Sequence, residues 1–390
     1  MKVLLVEPDY YTRYPPLGLL KLAAFHKKLG DEVRLVRAPE PADLKAQRVY
    51  VTSLFTWDWK AVWQAVRFYR TQQPMAEIWL GGIYASLLPD HARLSGADRV
   101  WERLFPEAEL EVPDYSLVPE WKASLLFATR GCTRRCGFCS VPKLEGPLQP
   151  RHGSVRRFIY PGHSKLTFFD NNILGSSIWR DVFLELIDLH IEVDFNQGMD
   201  ARYLTEEAVA LLAKMRCPIV RLAYDYIGVR PYVENAINLL KRHGISGRRV
   251  VFYVLYNYIE SPGEFFEKVR DLLNWGVVAY PMRYEPLCTL EKGKYVSAKW
   301  TKEELDMVAG ARRVIGFGGA FPPYVGLVEK FRKAQSFHDA FALRQPREQS
   351  LPPAPIVEMA LEHQQQATLK RHYFPAWRRE KNWRTVLTNS

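Results

Sequence analysis

Cys132, Cys136 and Cys139, three of the chain's five cysteines, fall within the stretch RGCTRRCGFCSV. Thiolates bind soft metals, and a structural zinc ion takes four protein ligands, often as two paired knuckles. Here the second knuckle is missing. A four-iron, four-sulfide cluster is normally held by four thiolates. Held by three, it keeps one iron open to a ligand from outside the protein, the arrangement that reactive chemistry at a cluster requires. Two alternatives stand beside the cluster: a zinc site completed by His152, and three incidental thiols. Cys217 and Cys288 lie far along the chain, in or beside apolar stretches, and both read as core residues, since free cysteine is among the most buried residue types.

The cysteines follow the apolar run SLLFAT, which places them on a loop at the C-terminal end of a strand. Further strand-like runs come after it: KLTFFD, IEVDFNQG, PIVRLAYD, RRVVFYVLY and GVVAYPMRYEP. Amphipathic stretches such as IWRDVFLELIDLH, TEEAVALLAKM, VENAINLLKRHG and PGEFFEKVRDLLNWG separate them. Alternation of this kind builds a parallel sheet through right-handed crossovers. Six such units are too few to close an eight-fold barrel and suit a curved, partly open one, in which chemistry sits at the C-terminal strand ends.

Ahead of this region, KVLLVEP, EVRLVRA, RVYVTSLFTW and EIWLGG alternate with the helical patterns PPLGLLKLAAFHKKLG and WKAVWQAVRFYRTQQ, with Gly30 as the expected helix stop. The fold class is therefore α/β. We expect a doubly wound parallel-sheet domain over residues 1–110, of the Rossmann or flavodoxin kind, and a partial (β/α)6 barrel over 111–315. A mostly helical, basic and aromatic C-terminal extension would cover 316–390. FPEAELEVPDYSLVPEW reads as the connection between the first two.

Hydrophobic residues make up 47% of the chain and charged residues 25%, an ordinary globular composition. No run approaches the roughly 18 apolar residues that span a bilayer. Neither a membrane partner nor a signal peptide is expected, and the expected location is cytoplasmic. An odd cysteine count in a long chain argues against a disulfide framework. The net charge of +11 suits polyanions, nucleic acid among them.

The motif GCTRRCGFC, with Phe138 just before the third cysteine, resembles the cluster loop of the radical S-adenosylmethionine superfamily. The resemblance implies a 4Fe-4S cluster on Cys132, Cys136 and Cys139 whose open iron chelates the amino and carboxylate groups of S-adenosylmethionine. Reduction by a protein such as flavodoxin or ferredoxin would then cleave the sulfonium and yield a 5′-deoxyadenosyl radical, which takes hydrogen from an unactivated carbon. The family's Gly-Gly-Glu-like stretch, which meets the methionine amino group, is replaced here by FFDNNILG, so that Asp170, Asn171 and Asn172 would supply the polar contact. Gln197, Asp200 and Arg202 in DFNQGMDARYL, Asp225 in RLAYD and Asn257 in YVLYNY are further candidates for holding the cofactor, each with an alternative reading as a residue that satisfies loop amides. Glu264 resembles an acidic residue of the family's fifth-strand segment, but the preferred reading is a carboxylate that favours the dipole at the start of its helix.

PPLGLLKLAAFHKKLGDEV, VTSLFTWDW and WLGGIYASLLPD resemble the cobalamin-binding-like domain that precedes many such barrels. The loop EPDYYTRYPPLG contains no histidine, which excludes a histidine ligand to cobalt through that motif. Ser53, Gly81 and Gly82 remain as candidate contacts to a cobalamin held without one, and the resemblance then implies C-methylation. The competing reading is a degenerate domain that packs on the barrel without any corrinoid. Residues 1–131 hold no cysteine, so a second cluster there is not expected.

Two basic segments are candidates for nucleic acid: PLQPRHGSVRRF after the cysteines, the better one, and the tail with Lys370, Arg371, Arg378, Arg379, Lys381 and Arg384 among Tyr373, Phe374, Trp377 and Trp383, which reads rather as a strap whose aromatics pack on the body. A radical enzyme modifying tRNA or another nucleic acid is thus an alternative function, and a metal-containing nucleic-acid-binding module without turnover is the non-enzymatic one.

Overall fold

The computed structural model describes residues 1–151, 154–315 and 318–342. The first layer is built from β1 (Lys2–Glu7), α1 (Leu17–Lys28), β2 (Glu32–Arg37), β3 (Arg48–Ser53), α2 (Trp59–Gln72), β4 (Glu77–Gly82), α3 (Ile83–Leu87), α4 (Pro89–Arg93), β5 (Arg99–Val100) and α5 (Pro106–Glu109). Its five strands are parallel in the order β2-β1-β3-β4-β5. That is a doubly wound order, with its switch point between β1 and β3. Both faces of β1 are covered, so Val3, Leu4, Leu5 and Val6 are fully buried, which is why the run KVLLVE lacks alternation. Gly30, at φ 81°, follows the end of α1 as expected.

The second layer starts with β6 (Ala123–Leu126), followed by a two-residue antiparallel ribbon of β7 (Thr129–Arg130) and β8 (Gln149–Pro150) that flanks α6 (Val141–Leu144). Then come β9 (Lys165–Phe168), α7 (Trp179–Leu189), β10 (Glu192–Phe195), α8 (Glu206–Lys214), β11 (Val220–Ala223), α9 (Arg230–Arg242), β12 (Val250–Tyr256), α10 (Pro262–Asn274) and β13 (Val278–Arg283). The ladders β6-β9-β10 and β11-β12-β13 are both parallel. They are stitched by the amides of Val193 and Met199, which donate to the carbonyls of Arg216 and Arg221 at 2.9 and 2.8 Å. Each strand expected from the sequence in this region is present. Thr205 caps α8, and Ser261 with Glu264 forms a reciprocal capping box on α10. Glu264 is thereby accounted for by its helix. The chain continues through α11 (Lys302–Ile315), α12 (Val325–Lys333) and α13 (Phe337–Phe341).

The stretch read as a connection is part of the core. Tyr115 is 1% exposed and packs with Leu20 of α1, Val118 and Leu125 of β6, while its hydroxyl accepts the amide of Leu125 at 2.6 Å. Met1–Ala342 is one compact unit. The tail from residue 343, with its basic and aromatic positions, lies outside the described residues, as does His152.

Candidate functional site

The cysteine loop leaves β6 through a turn that Asp170 organises from the end of β9. Its carboxylate accepts the amide of Ala128 at 3.0 Å, and the amide and hydroxyl of Thr129 at 2.6 and 2.7 Å. Burial pushes its pKa up to about 6, against the opposing effect of those donors. Gly131 follows at φ 78°, where a Cβ would stand 2.2 Å from the carbonyl oxygen of Pro147. Only glycine lets the returning chain approach so closely, and the amide of Cys132 then bonds the carbonyl of Gly146 at 3.3 Å. At the far end of the loop Gly137 lies against Tyr258, whose hydroxyl would be 2.6 Å from an added Cβ, and Phe138 meets the Tyr258 ring edge-on at 5.8 Å.

Cys132, Cys136 and Cys139 are free thiols, each half-buried. Burial is the largest cause raising the pKa of Cys136 and Cys139; the Asp225 carboxylate and the neighbouring thiols act in the same direction. Such a group of thiols favours cations that offset thiolate repulsion. The Cys132 sulfur accepts the amide of Arg134 at 3.3 Å, and the Asn172 amide nitrogen stands 3.9 Å away. Asn172 also donates to Thr133 Oγ1 at 3.2 Å, while its own buried oxygen has no hydrogen-bond partner. Among the described residues no three His, Cys, Asp or Glu side chains are gathered close enough to share one metal ion. A cubane cluster places each thiolate on a different iron, so thiols spread along one loop fit it where they would not fit a single ion. The orphaned oxygen of Asn172, whose amide nitrogen stands beside the Cys132 sulfur, is an acceptor suited to an ammonium group.

The other residues expected to hold the cofactor divide into two groups. Asp200, Arg202 and Asp225 lie on the cysteine side of the sheet. Asp200 forks Arg202 at 2.7 and 2.8 Å and faces Arg134 at 3.5 Å, and Tyr203 reaches Thr133 at 3.1 Å. Burial pushes the Asp225 carboxyl up to about 6. Gln197 is exposed, and Asn171 donates to Glu145 at 3.1 Å. Asn257 serves the protein itself: at φ 63°, it donates to the carbonyls of Tyr284 and Tyr295 and accepts the amide of Ser297 at 2.9 Å. It thus pins the loop over residues 284–297 to the strand end.

Lys268 was not singled out from the sequence. Fully buried, it bonds the carbonyls of Asp225 and Leu255 at 2.9 and 2.8 Å and pairs with Glu260 at 2.6 Å, closing the ends of β11 and β12 together. Its signal was available: it sits in register with Phe265 and Leu272 on the apolar face of α10.

At the C-terminal ends of β3 and β4, beside the switch point of the first layer, Ser53 donates to the carbonyl of Gly81 at 2.7 Å and accepts the amide of Ala85 at 3.2 Å. Gly82 has φ 102°, and a Cβ there would lie 2.1 Å from the Ser53 carbonyl oxygen. The three residues close the strand ends on one another. The space that a missing side chain leaves at Gly82 is filled by Ser53 backbone, so Gly82 offers no cradle for the nucleotide tail of a cobalamin, whereas a Cβ at Gly81 would come no nearer than 3.8 Å to Trp101. The two layers meet nearby: the Tyr14 hydroxyl donates to Asn196 at 2.7 Å, and the Thr56 hydroxyl to the carbonyl of Thr289.

Cys217 is 2% exposed, and burial pushes its thiol up to about 12. The expectation for Cys288 is corrected: it is exposed, because the apolar run it borders ends in the loop held by Asn257. In the basic segment after the cysteines, Arg156 pairs with Asp188 at 2.6 Å and Arg157 donates to the Leu110 carbonyl at 3.1 Å. No helix among the described residues is long and apolar enough to cross a membrane.

Neither a family model nor a curated protein matches the sequence. Among solved structures, SuiB of Streptococcus suis bound to S-adenosylmethionine aligns at 11% identity over 60% of this chain and 58% of that one, with a TM-score of 0.33, too low to bear on the fold. The radical S-adenosylmethionine methyltransferase TsrM of Kitasatospora setae, with tryptophan and an S-adenosylmethionine analogue bound, aligns over 72% of each chain at 14% identity and a TM-score of 0.57. The chain thus shares with that methyltransferase an α/β fold of parallel sheets.

Proposed function

We propose that the chain is a radical S-adenosylmethionine enzyme with one 4Fe-4S cluster on Cys132, Cys136 and Cys139, the two ladders of the second layer forming a partial (β/α)6 barrel around it. The observation that carries this reading is the loop itself, three half-buried free thiols at the C-terminal edge of a parallel sheet. When bound, the cluster and S-adenosylmethionine supply reductive cleavage of the sulfonium, with an electron from flavodoxin or ferredoxin, and hydrogen abstraction from an unactivated carbon.

The chain's own residues bind and orient. Asp170 fixes the approach to the loop, and Asn172 offers its free oxygen to the methionine ammonium. Asp225, Asp200 and Arg202 present charge and hydrogen-bonding groups on the same side of the sheet for the carboxylate and ribose. Phe138 and Tyr258 pack edge-on at one edge of the loop. For the first layer we favour packing without a corrinoid, because Ser53 and Gly82 use one another as partners. The methyltransferase activity of the structurally similar TsrM makes methyl transfer the first outcome to assay, and the net charge makes polyanions, nucleic acid included, the first substrates to try.

Anaerobic reconstitution with iron, sulfide and a cobalamin tests the reading. The expected result is a cluster on the wild-type chain, its loss in Cys132→Ala, and 5′-deoxyadenosine on reduction with S-adenosylmethionine. A chain that takes zinc alone and cleaves no S-adenosylmethionine refutes it, and corrinoid uptake refutes the reading of the first layer.

A further inference from the structure

An unbroken line of buried charges runs from the first layer to the cysteine loop. Lys21 of α1 bonds the Glu109 carbonyl at 2.8 Å and its carboxylate at 3.3 Å. The other Glu109 oxygen takes Arg130 Nε at 2.7 Å, and Arg130 Nη1 reaches Glu145 at 3.1 Å. The second Glu145 oxygen accepts the amide of Gly131, the residue before Cys132, at 2.8 Å, and the Asn171 amide at 3.1 Å. The four charged side chains are 6, 11, 8 and 13% exposed in that order. The Arg130 guanidinium carbon also stands over the Phe127 ring, 3.3 Å from its centroid.

Two cations and two anions alternate, so no charge in the line is left unmatched. Each desolvated group depends on its neighbour, because a buried charge that loses its partner is strongly disfavoured. Arg130 and Glu145 bracket the cysteines, one just before the loop and one just after it. Their orientation is set from outside the second layer, by Glu109.

We propose that Glu109 and Lys21 of the first layer are positioning residues for the cysteine loop, acting through Arg130 and Glu145 on the backbone at Gly131. The inference rests on the cluster reading for its consequence, which is that the first layer sets the geometry in which the three thiols receive iron. Its physical content, a loop held in place from α1 and α5, stands in the metal-free chain.

The test is alkylation of the full metal-free chain with iodoacetamide, read cysteine by cysteine by mass spectrometry, for wild type, Glu109→Gln and the doubly neutralised Lys21→Gln/Glu109→Gln. Exposed Cys288 serves as the reference, and buried Cys217 reports whether the fold is intact. Loss of the anchor is expected to speed alkylation of Cys132 several-fold with Cys288 unchanged and Cys217 protected. In reconstituted protein the same variants should hold less iron and show an altered electron paramagnetic resonance spectrum. Unchanged Cys132 rates in both variants overturn the proposal. Exposure of Cys217 in both also overturns it, by assigning the charges to the stability of the whole fold. If wild type takes up no cluster while the alkylation contrast is present, the cluster reading falls and the anchoring stands.

Discussion

Replacing Asp170 by Asn changes one buried oxygen into an NH2 and removes one titration. The wild-type carboxylate accepts Thr129 twice through Oδ1 and Ala128 once through Oδ2. An Asn can keep its oxygen on Thr129, but its nitrogen then faces the Ala128 amide, donor against donor, which costs about 1–3 kcal/mol. The titration works the other way. The folded pKa, near 6, is raised above the ordinary 3.8, so the stability this group contributes is complete below about pH 3.8 and is lost as pH rises through 6. The gap of about two pKa units corresponds to about 3 kcal/mol, roughly half of it lost between about pH 5 and pH 8. Asp170→Asn should therefore be clearly destabilised at pH 5 and closer to wild type at pH 8. Urea unfolding of both proteins at the two pH values measures the difference, and every other titrating group cancels between them. A constant offset would show that Asp170 stays ionised throughout, with its three donors outweighing burial.

Asn257→Ala should lose the three bonds that hold the loop over residues 284–297 and also force a left-handed backbone on alanine, at about 1–2 kcal/mol for the conformation alone. Asn257→Gly removes the strain but not the lost bonds, so differential scanning calorimetry of the pair separates the two. Gly82→Ala should lower the melting temperature sharply, by at least about 2 kcal/mol in stability, because its Cβ meets Ser53 backbone. Gly81→Ala, whose Cβ comes no nearer than 3.8 Å to Trp101, should melt close to wild type. Equal melting temperatures would contradict the closure of the strand ends.

The central strands of the first layer are legible in the sequence because a sheet covered on both faces needs uninterrupted apolar runs, and the cysteine loop is legible because the spacing of its thiols is local. What the sequence hides is long-range. Asp170 resembles a cofactor contact when read beside Asn171 and Asn172, yet its partners lie 41 and 42 residues back. Ser53 and Gly82 suggest a nucleotide cradle in the sequence, where nothing shows that strand pairing brings the Ser53 backbone into the space beside Gly82. Tyr115 sits among prolines and acids that imply a linker, and only its burial shows that it joins α1 to β6. Cys288 borders apolar residues and is exposed because Asn257 holds that loop outside the sheet.

The burial of Tyr115 against both layers has a thermodynamic consequence. Two layers joined by a solvated linker would unfold independently, each with its own transition. A core shared by Leu20, Tyr115, Val118 and Leu125 couples their free energies, so opening one layer exposes apolar surface of the other. A substitution deep in the first layer is then expected to shorten the lifetime of the cysteine loop's native form even where it touches no residue of that loop.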